Sequence, residues 1–168
     1  MRNPFGVDFH HIYWEHAAAV HRFAVGLTGG DRALADDLTA DAFMRLWTAP
    51  GEIRLPTVRA YLCTIVRHAF VSHLRKSRRN AALDDQLVDP VDRVAEPLER
   101  RSEAAAARRA MATLSADDRE ALLMRAADMS YAEIAESLDI TIAAAKVRVH
   151  RARARVLRAR AQEDPSCR

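Results

Sequence analysis

The stretch Met129–Arg158, MSYAEIAESLDITIAAAKVRVHRARARVLR, decides the fold. It reads as two helices joined by a tight turn. Ser130 caps the first helix, with Glu133 three residues on at capping-box spacing. Ile134, Ala135 and Leu138 give that helix an apolar side, Asp139 breaks the pattern, and Thr141 caps the second helix. At 3.6 residues per turn, Ile142, Ala145, Val149, Ala152 and Val156 fall on one face. Lys146, Arg148, His150, Arg151, Arg153, Arg155 and Arg158 lie off it, with no acid to balance them before Glu163. An apolar back and a basic front make a helix-turn-helix whose second helix suits the major groove. A helical hairpin with a merely solvated charged face is the weaker reading.

Composition points to a binding protein. The chain has 168 residues, enough for one domain or two small ones, and is 49% hydrophobic, so a core can form. Net charge is only +3, but it is separated into blocks. Basic residues crowd into Arg67–Arg79 and Lys146–Arg160; acids gather in Asp31–Asp41 and Asp84–Glu99. Such separation suits a protein that touches both nucleic acid and a basic protein surface. Cys63 and Cys167 belong to no CxxC pair, so no disulfide is expected and a reducing cytoplasm is the simplest location. No apolar run is long enough to span a bilayer, and the N-terminus lacks the apolar centre of a signal peptide. There is no Gly-rich phosphate loop, no zinc spacing and no nucleophile with a base, so neither an enzyme nor a cofactor is expected.

The rest of the chain reads as further helices. Asp8 to Leu27 carries Phe9, Ile12, Tyr13, His16, Val20, Phe23 and Leu27 at three- and four-residue steps, and stops at Thr28-Gly29-Gly30. His10, His11, His16 and His21 are spaced too widely around such a helix to hold a metal, and no carboxylate or thiolate cluster completes a site. Asp31 caps a second helix, Arg32–Trp47, with Leu34, Leu38, Ala42 and Leu46 on one face. Its acids Asp36, Asp37 and Asp41 suit the helix dipole and also a basic partner. Residues 48–56 form a Pro/Gly loop. The longest helix is Thr57–Arg79, with Val58, Tyr61, Leu62, Ile65, Ala69 and Leu74 expected inside and Arg59, Arg67, His68, Arg75, Lys76, Arg78 and Arg79 outside. The density of LRKSRR exceeds what a helix dipole favours and fits phosphate contact.

Asn80 to Ser102, rich in Pro and acid, reads as a flexible linker. A C-terminal helical unit begins near Glu103, with Ser115 capping its second helix, and Glu163–Arg168 is a frayed tail. The expected architecture is all-α. Two small helical domains, 1–80 and 103–162, flank a linker at 81–102, with a tail at 163–168.

Three segments carry a resemblance. ADDLTADAFMRLW (Ala35–Trp47), VRAYLCTIVRHAFVSHLRKSRR (Val58–Arg79) and Leu114–Val156 resemble, in order, region 2.2, regions 2.3 and 2.4, and region 4 of the sigma-70 family, in its short extracytoplasmic-function (ECF) group. The order across an acidic linker is more specific than any one segment. The resemblance implies a bacterial alternative sigma factor that binds core RNA polymerase, recognises −35 and melts −10 promoter DNA, and is not an enzyme. It implies that Asp37, Asp41 and Trp47 dock on the β′ clamp. It implies that Arg67, His68, Arg75, Lys76, Arg78 and Arg79 face −10 DNA, and that the loop Pro50–Pro56 holds a flipped base at a few kcal/mol of unstacking. Thr141, Ala143, Ala144, Lys146, Val147, Arg148 and Arg151 are placed on −35 DNA, and region 4 on the β flap. An anti-sigma protein is an implied partner. The linker acids Asp84, Asp85 and Asp89 are expected to thread toward the polymerase channels.

The chain departs from the family pattern in four places. Ala40-Asp41 replaces the usual Gln-Glu, His68 the usual Asn, and Asp139 the usual Gly of the turn. The reading helix begins Thr-Ile-Ala-Ala-Ala-Lys-Val-Arg where Ser-Val-Gly-Thr-Val-Lys-Ser-Arg is common. Ala143, Ala144 and Val147 offer no side-chain hydrogen bond, only contact with thymine methyls, so −35 recognition is expected to lean on shape, methyl contacts and phosphate. Two other readings stay open at this point: a sigma-like decoy that sequesters an anti-sigma protein, and a stand-alone helix-turn-helix regulator.

Overall fold

The computed structural model describes residues 9–49, 58–81 and 98–163; the expectations for Pro50–Pro56, for Asp84, Asp85 and Asp89, and for residues 164–168 lie outside them. Among the described residues there are seven helices and no strand. They fall into two compact units, the first holding α1 (Phe9–Leu27), α2 (Arg32–Thr48) and α3 (Val58–Ala81). The second holds α4 (Leu98–Ala112), α5 (Ala116–Ala126), α6 (Tyr131–Leu138) and α7 (Ile142–Glu163). No described helix is long and apolar enough to cross a membrane.

In the first unit each helix packs on the other two. α1 ends as its sequence suggests. Thr28 and Gly30 donate backbone bonds back to Ala24 and Val25, and Gly29 takes φ 70°, where a side chain would be strained. Asp31 then caps α2, accepting the Leu34 N–H at 3.0 Å. Ile12, Val20, Phe23, Leu38, Leu46, Leu62 and Val66 form the core, each worth about 1.5–3 kcal/mol when fully buried. The buried side of α3 is turned from the expected one. Ala60, Leu62, Cys63 and Val66 are fully buried, Tyr61 and Ile65 are half-buried, and Leu74 is exposed. α3 has 24 residues against 19 and 17 in α1 and α2, so its C-terminal part outruns the helices that cover it.

The second unit is built by its caps. Ser115 accepts the Asp118 N–H at the start of α5. Ser130 and Glu133 form a complete capping box on α6, and Asp139 closes α6 in the left-handed conformation, φ 52° and ψ 52°. Thr141 Oγ1 accepts the Ala144 N–H at 3.1 Å and so starts α7. α7 buries Ala145, Val149 and Ala152 against α4, α5 and α6. Ile142, expected on that seam, is 49% exposed; it is the first residue of α7, one turn before the buried seam begins at Ala145.

α3 runs to Ala81 and α4 already begins at Leu98, inside the stretch read as linker. Leu98–Ala107 consists mostly of Ala, Leu, Glu and Arg, strong helix formers directly after Pro97. Local helix propensity there prevails over the acidic, Pro-containing composition that precedes it.

Candidate polymerase and promoter interfaces

α2 carries acid that its own helix does not need. Its first turn has no acidic residue, and the dipole's effect fades beyond that turn. Asp36 stands 2.9 Å from His21 Nε2 on α1, and Asp41 pairs with Arg45 one turn on at 2.8 Å. Asp37 is exposed and unpaired among the described residues. Trp47, 45% exposed, packs edge-on against Phe9 with centroids 4.8 Å apart, and Phe43 meets both Phe9 and Tyr13. With Met44 also exposed, the C-terminal half of α2 offers apolar surface beside carboxylates.

α3 changes character along its length. Its first half is core; residues 72–77 and Arg79 are all exposed. At about 100° per residue, His68, Arg75 and Arg79 fall within a sector of about 40°. Lys76 flanks it on one side and Arg67, half-buried, on the other. From His68 to Arg79 is roughly 17 Å of helix, or about five base steps. The side chain of Arg78 lies outside the described residues.

α7 divides its residues differently from the sequence expectation. Val147, 59% exposed, and Ala143 stand on the outer face, with Ala144 half-buried beside them. Lys146 is exposed, its Nζ 5.8 Å from the ring centroid of Tyr131, which Arg125 faces at 5.5 Å. Arg148 and Arg151 are tied to α5, although the Arg151 side chain stays half exposed. Arg148 reaches Asp117 at 3.1 Å. Arg151 forks onto Asp118, its Nε–H donating to Oδ2 at 2.8 Å and its terminal nitrogen to Oδ1. The balancing acids that α7 lacks in sequence come from the first turn of α5.

Three kinds of comparison bear on these surfaces. The sigma-70 region 2 family model matches residues 12–80, and the sigma-70 region 4 model matches residues 104–156. An ECF RNA polymerase sigma factor, SigL of Mycobacterium tuberculosis, is 34% identical over 159 residues, covering 90% of this chain and 88% of that protein. The chain belongs to the sigma-70 family, in its ECF group. SigM of Bacillus subtilis, another ECF sigma factor, is 30% identical over 77 residues, 46% of this chain and 47% of that protein. Among solved structures, the sigma factor RpoE in complex with the anti-sigma factor NepR from Bartonella quintana superposes with a TM-score of 0.72 at 28% identity, covering 90% of this chain and 96% of that one. CnrH, solved with the cytosolic domain of CnrY, shares the fold: TM-score 0.68 at 22% identity, over 93% and 89% of the two chains.

As an ECF sigma factor the protein is not an enzyme; it binds core RNA polymerase and directs promoter-specific transcription initiation. The region 2 match accounts for α1–α3, which a stand-alone helix-turn-helix regulator leaves without a role. Two residues beside the outer face of the sigma factor's α7 carry no site role in the sequence reading. Tyr131 and the exposed His150 line one open depression with Lys146, Val147 and Arg151. Tyr131 opens the first helix of the motif and His150 lies in the second, so only the folded angle between them joins the two. On α1, Trp14 is 72% exposed and its indole N–H donates to His10 Nε2 at 2.8 Å. Among the described residues no three His, Cys, Asp or Glu gather as a metal site.

Proposed function

We propose that the two units divide the work of initiation along these surfaces. Asp37, Asp41 and Trp47 on α2 dock on the β′ clamp of core polymerase, where carboxylates and an edge-packed indole suit a basic, partly apolar coiled coil. His68, Arg75, Lys76 and Arg79 follow the −10 DNA along the outer sector of α3, with Arg67 at its flank. α7 lies in the −35 major groove with Ala143, Ala144 and Val147 against thymine methyls and Lys146 at a phosphate, while region 4 also meets the β flap.

The observation that carries this reading is α3. One helix is core at one end and, at the other, a single exposed basic sector about as long as a −10 element. Such a helix delivers positive charge and a rigid base in one piece, which offsets the unstacking cost of melting. The sigma factor works in the cytoplasm, where core polymerase is. An anti-sigma protein regulates it, a reading supported by the solved complex of RpoE with the anti-sigma factor NepR.

Permanganate probing of holoenzyme on a promoter recovered by transcript-start mapping tests the central part. Arg75→Ala with Arg79→Ala is expected to abolish thymine reactivity at −10 while core binding persists. Undiminished reactivity would contradict it.

A further inference from the structure

The basic face of α7 is partly spent inside its own domain, and Asp118 is the residue that spends it. Asp118 lies in the first turn of α5, 1% exposed, with its side chain aimed at α7. Arg151 meets it with a two-point fork and Arg155 stands behind at 3.9 Å, while Arg148 takes the neighbouring Asp117. Arginines at 148, 151 and 155 recur at three- and four-residue steps and so share one side of α7.

Arg151 also follows Ala144 by seven residues and Val147 by four, which places its Cα on the outer stripe. From that position an unpaired guanidinium would extend toward DNA phosphates or a guanine edge. It is pulled sideways instead. If it swung out, Asp118 would be left as a buried carboxylate without its bidentate partner, which is strongly unfavourable.

We infer that Asp118 is a positioning residue that withholds Arg151 from DNA, so that α7 meets the promoter with an apolar stripe and fewer phosphate contacts than its sequence suggests. This rests on the reading of α7 as the −35 helix. The consequence is weaker sequence-independent attachment by region 4, since each phosphate contact contributes to affinity for any duplex. Arg151 in this role ties α7 to α5.

The test is the salt dependence of holoenzyme binding to random-sequence duplex DNA and to a mapped promoter. Asp118→Asn keeps the shape and removes the charge. It is expected to steepen the slope of log K against log salt by about 0.9 and to tighten random-duplex binding roughly eightfold at 0.1 M salt. Arg151→Gln is expected to leave the slope unchanged. A slope unchanged in Asp118→Asn, with an intact circular dichroism spectrum, would overturn the inference. So would a slope that falls by about 0.9 in Arg151→Gln, and that variant decides alone should Asp118→Asn fail to fold. Scrambling the −35 element tests the underlying reading separately: if it leaves unaltered holoenzyme's promoter affinity unchanged, α7 is not the −35 helix.

Discussion

Ser130 and Glu133 satisfy each other's backbone: the Ser130 N–H donates to Glu133 Oε2 at 2.6 Å, and the Glu133 N–H donates to Ser130 Oγ at 3.3 Å. The box holds the start of α6, one of the three helices against which α7 packs. Ser130→Ala removes one half of it. The expected loss is about 1 kcal/mol, seen as a lower thermal midpoint of the region 4 transition. An unchanged midpoint would show that the box is redundant with core packing.

Asp139 holds the turn in a conformation that costs a side chain free energy. The left-handed region disfavours most L-residues by about 1–2 kcal/mol, and glycine gives back part of that relief in unfolded-state entropy. Asp139→Gly is therefore expected to stabilise region 4 by up to about 1 kcal/mol. A decrease in the midpoint would mean that the Asp139 side chain contributes a compensating interaction.

Leu46 and Trp47 are neighbours with opposite duties. Leu46 is fully buried, so Leu46→Ala is expected to cost about 2–5 kcal/mol of region 2 stability. Trp47 is half in solvent, so Trp47→Ala is expected to cost much less stability but to weaken core polymerase binding. Calorimetry and a core-binding titration on both variants separate the two effects. Equal loss of binding at equal loss of stability would remove Trp47 from the interface.

One group in each unit links stability to acid pH. Burial holds the His16 imidazole below its ordinary value of 6.5; Glu15 opposes the shift, and Arg59 and His11 add to it. The unfolded chain thus takes up this proton first. The contribution is complete above about 6.5 and declines as pH falls below it, by at most about 1.4 kcal/mol per pH unit. Asp118 is held below its ordinary 3.8, chiefly by the Arg151 hydrogen bond, against the opposing effect of burial. Its contribution is complete above that value and is lost as pH falls through the folded-state pKa. Denaturation followed against pH should therefore show region 2 weakening first, below 6.5, and region 4 losing the Asp118 contribution only below 3.8. In His16→Leu the first effect should vanish; its persistence would assign it elsewhere.

Charge removal on α3 has its own signature. Arg75→Ala and Arg79→Ala are each expected to lower the salt slope of promoter binding by about 0.7–0.9, the lower figure applying to melted strand. A slope that does not move would place these side chains off the phosphates.

Local chemistry made most of the architecture legible. Asp31, Ser115, Ser130 and Thr141 cap the helices they were expected to cap, because a capping side chain acts on an N–H two or three residues away. Apolar periodicity placed Ile12, Val20, Leu38 and Val149 inside. What failed was non-local. The exposure of Leu74 depends on where α1 and α2 end relative to α3. The pairing of Arg148 and Arg151 depends on Asp117 and Asp118, about thirty residues earlier in the chain. A count of charges along α7 could not register acids supplied by another helix.

The most direct measurement is run-off transcription from fragmented genomic DNA of the source organism with core polymerase and this protein, with starts mapped by sequencing. The expected result is a set of discrete starts sharing a −10 element and a −35 element. Starts distributed as with core enzyme alone, despite core binding, would contradict the assignment of α3 and α7 to promoter DNA.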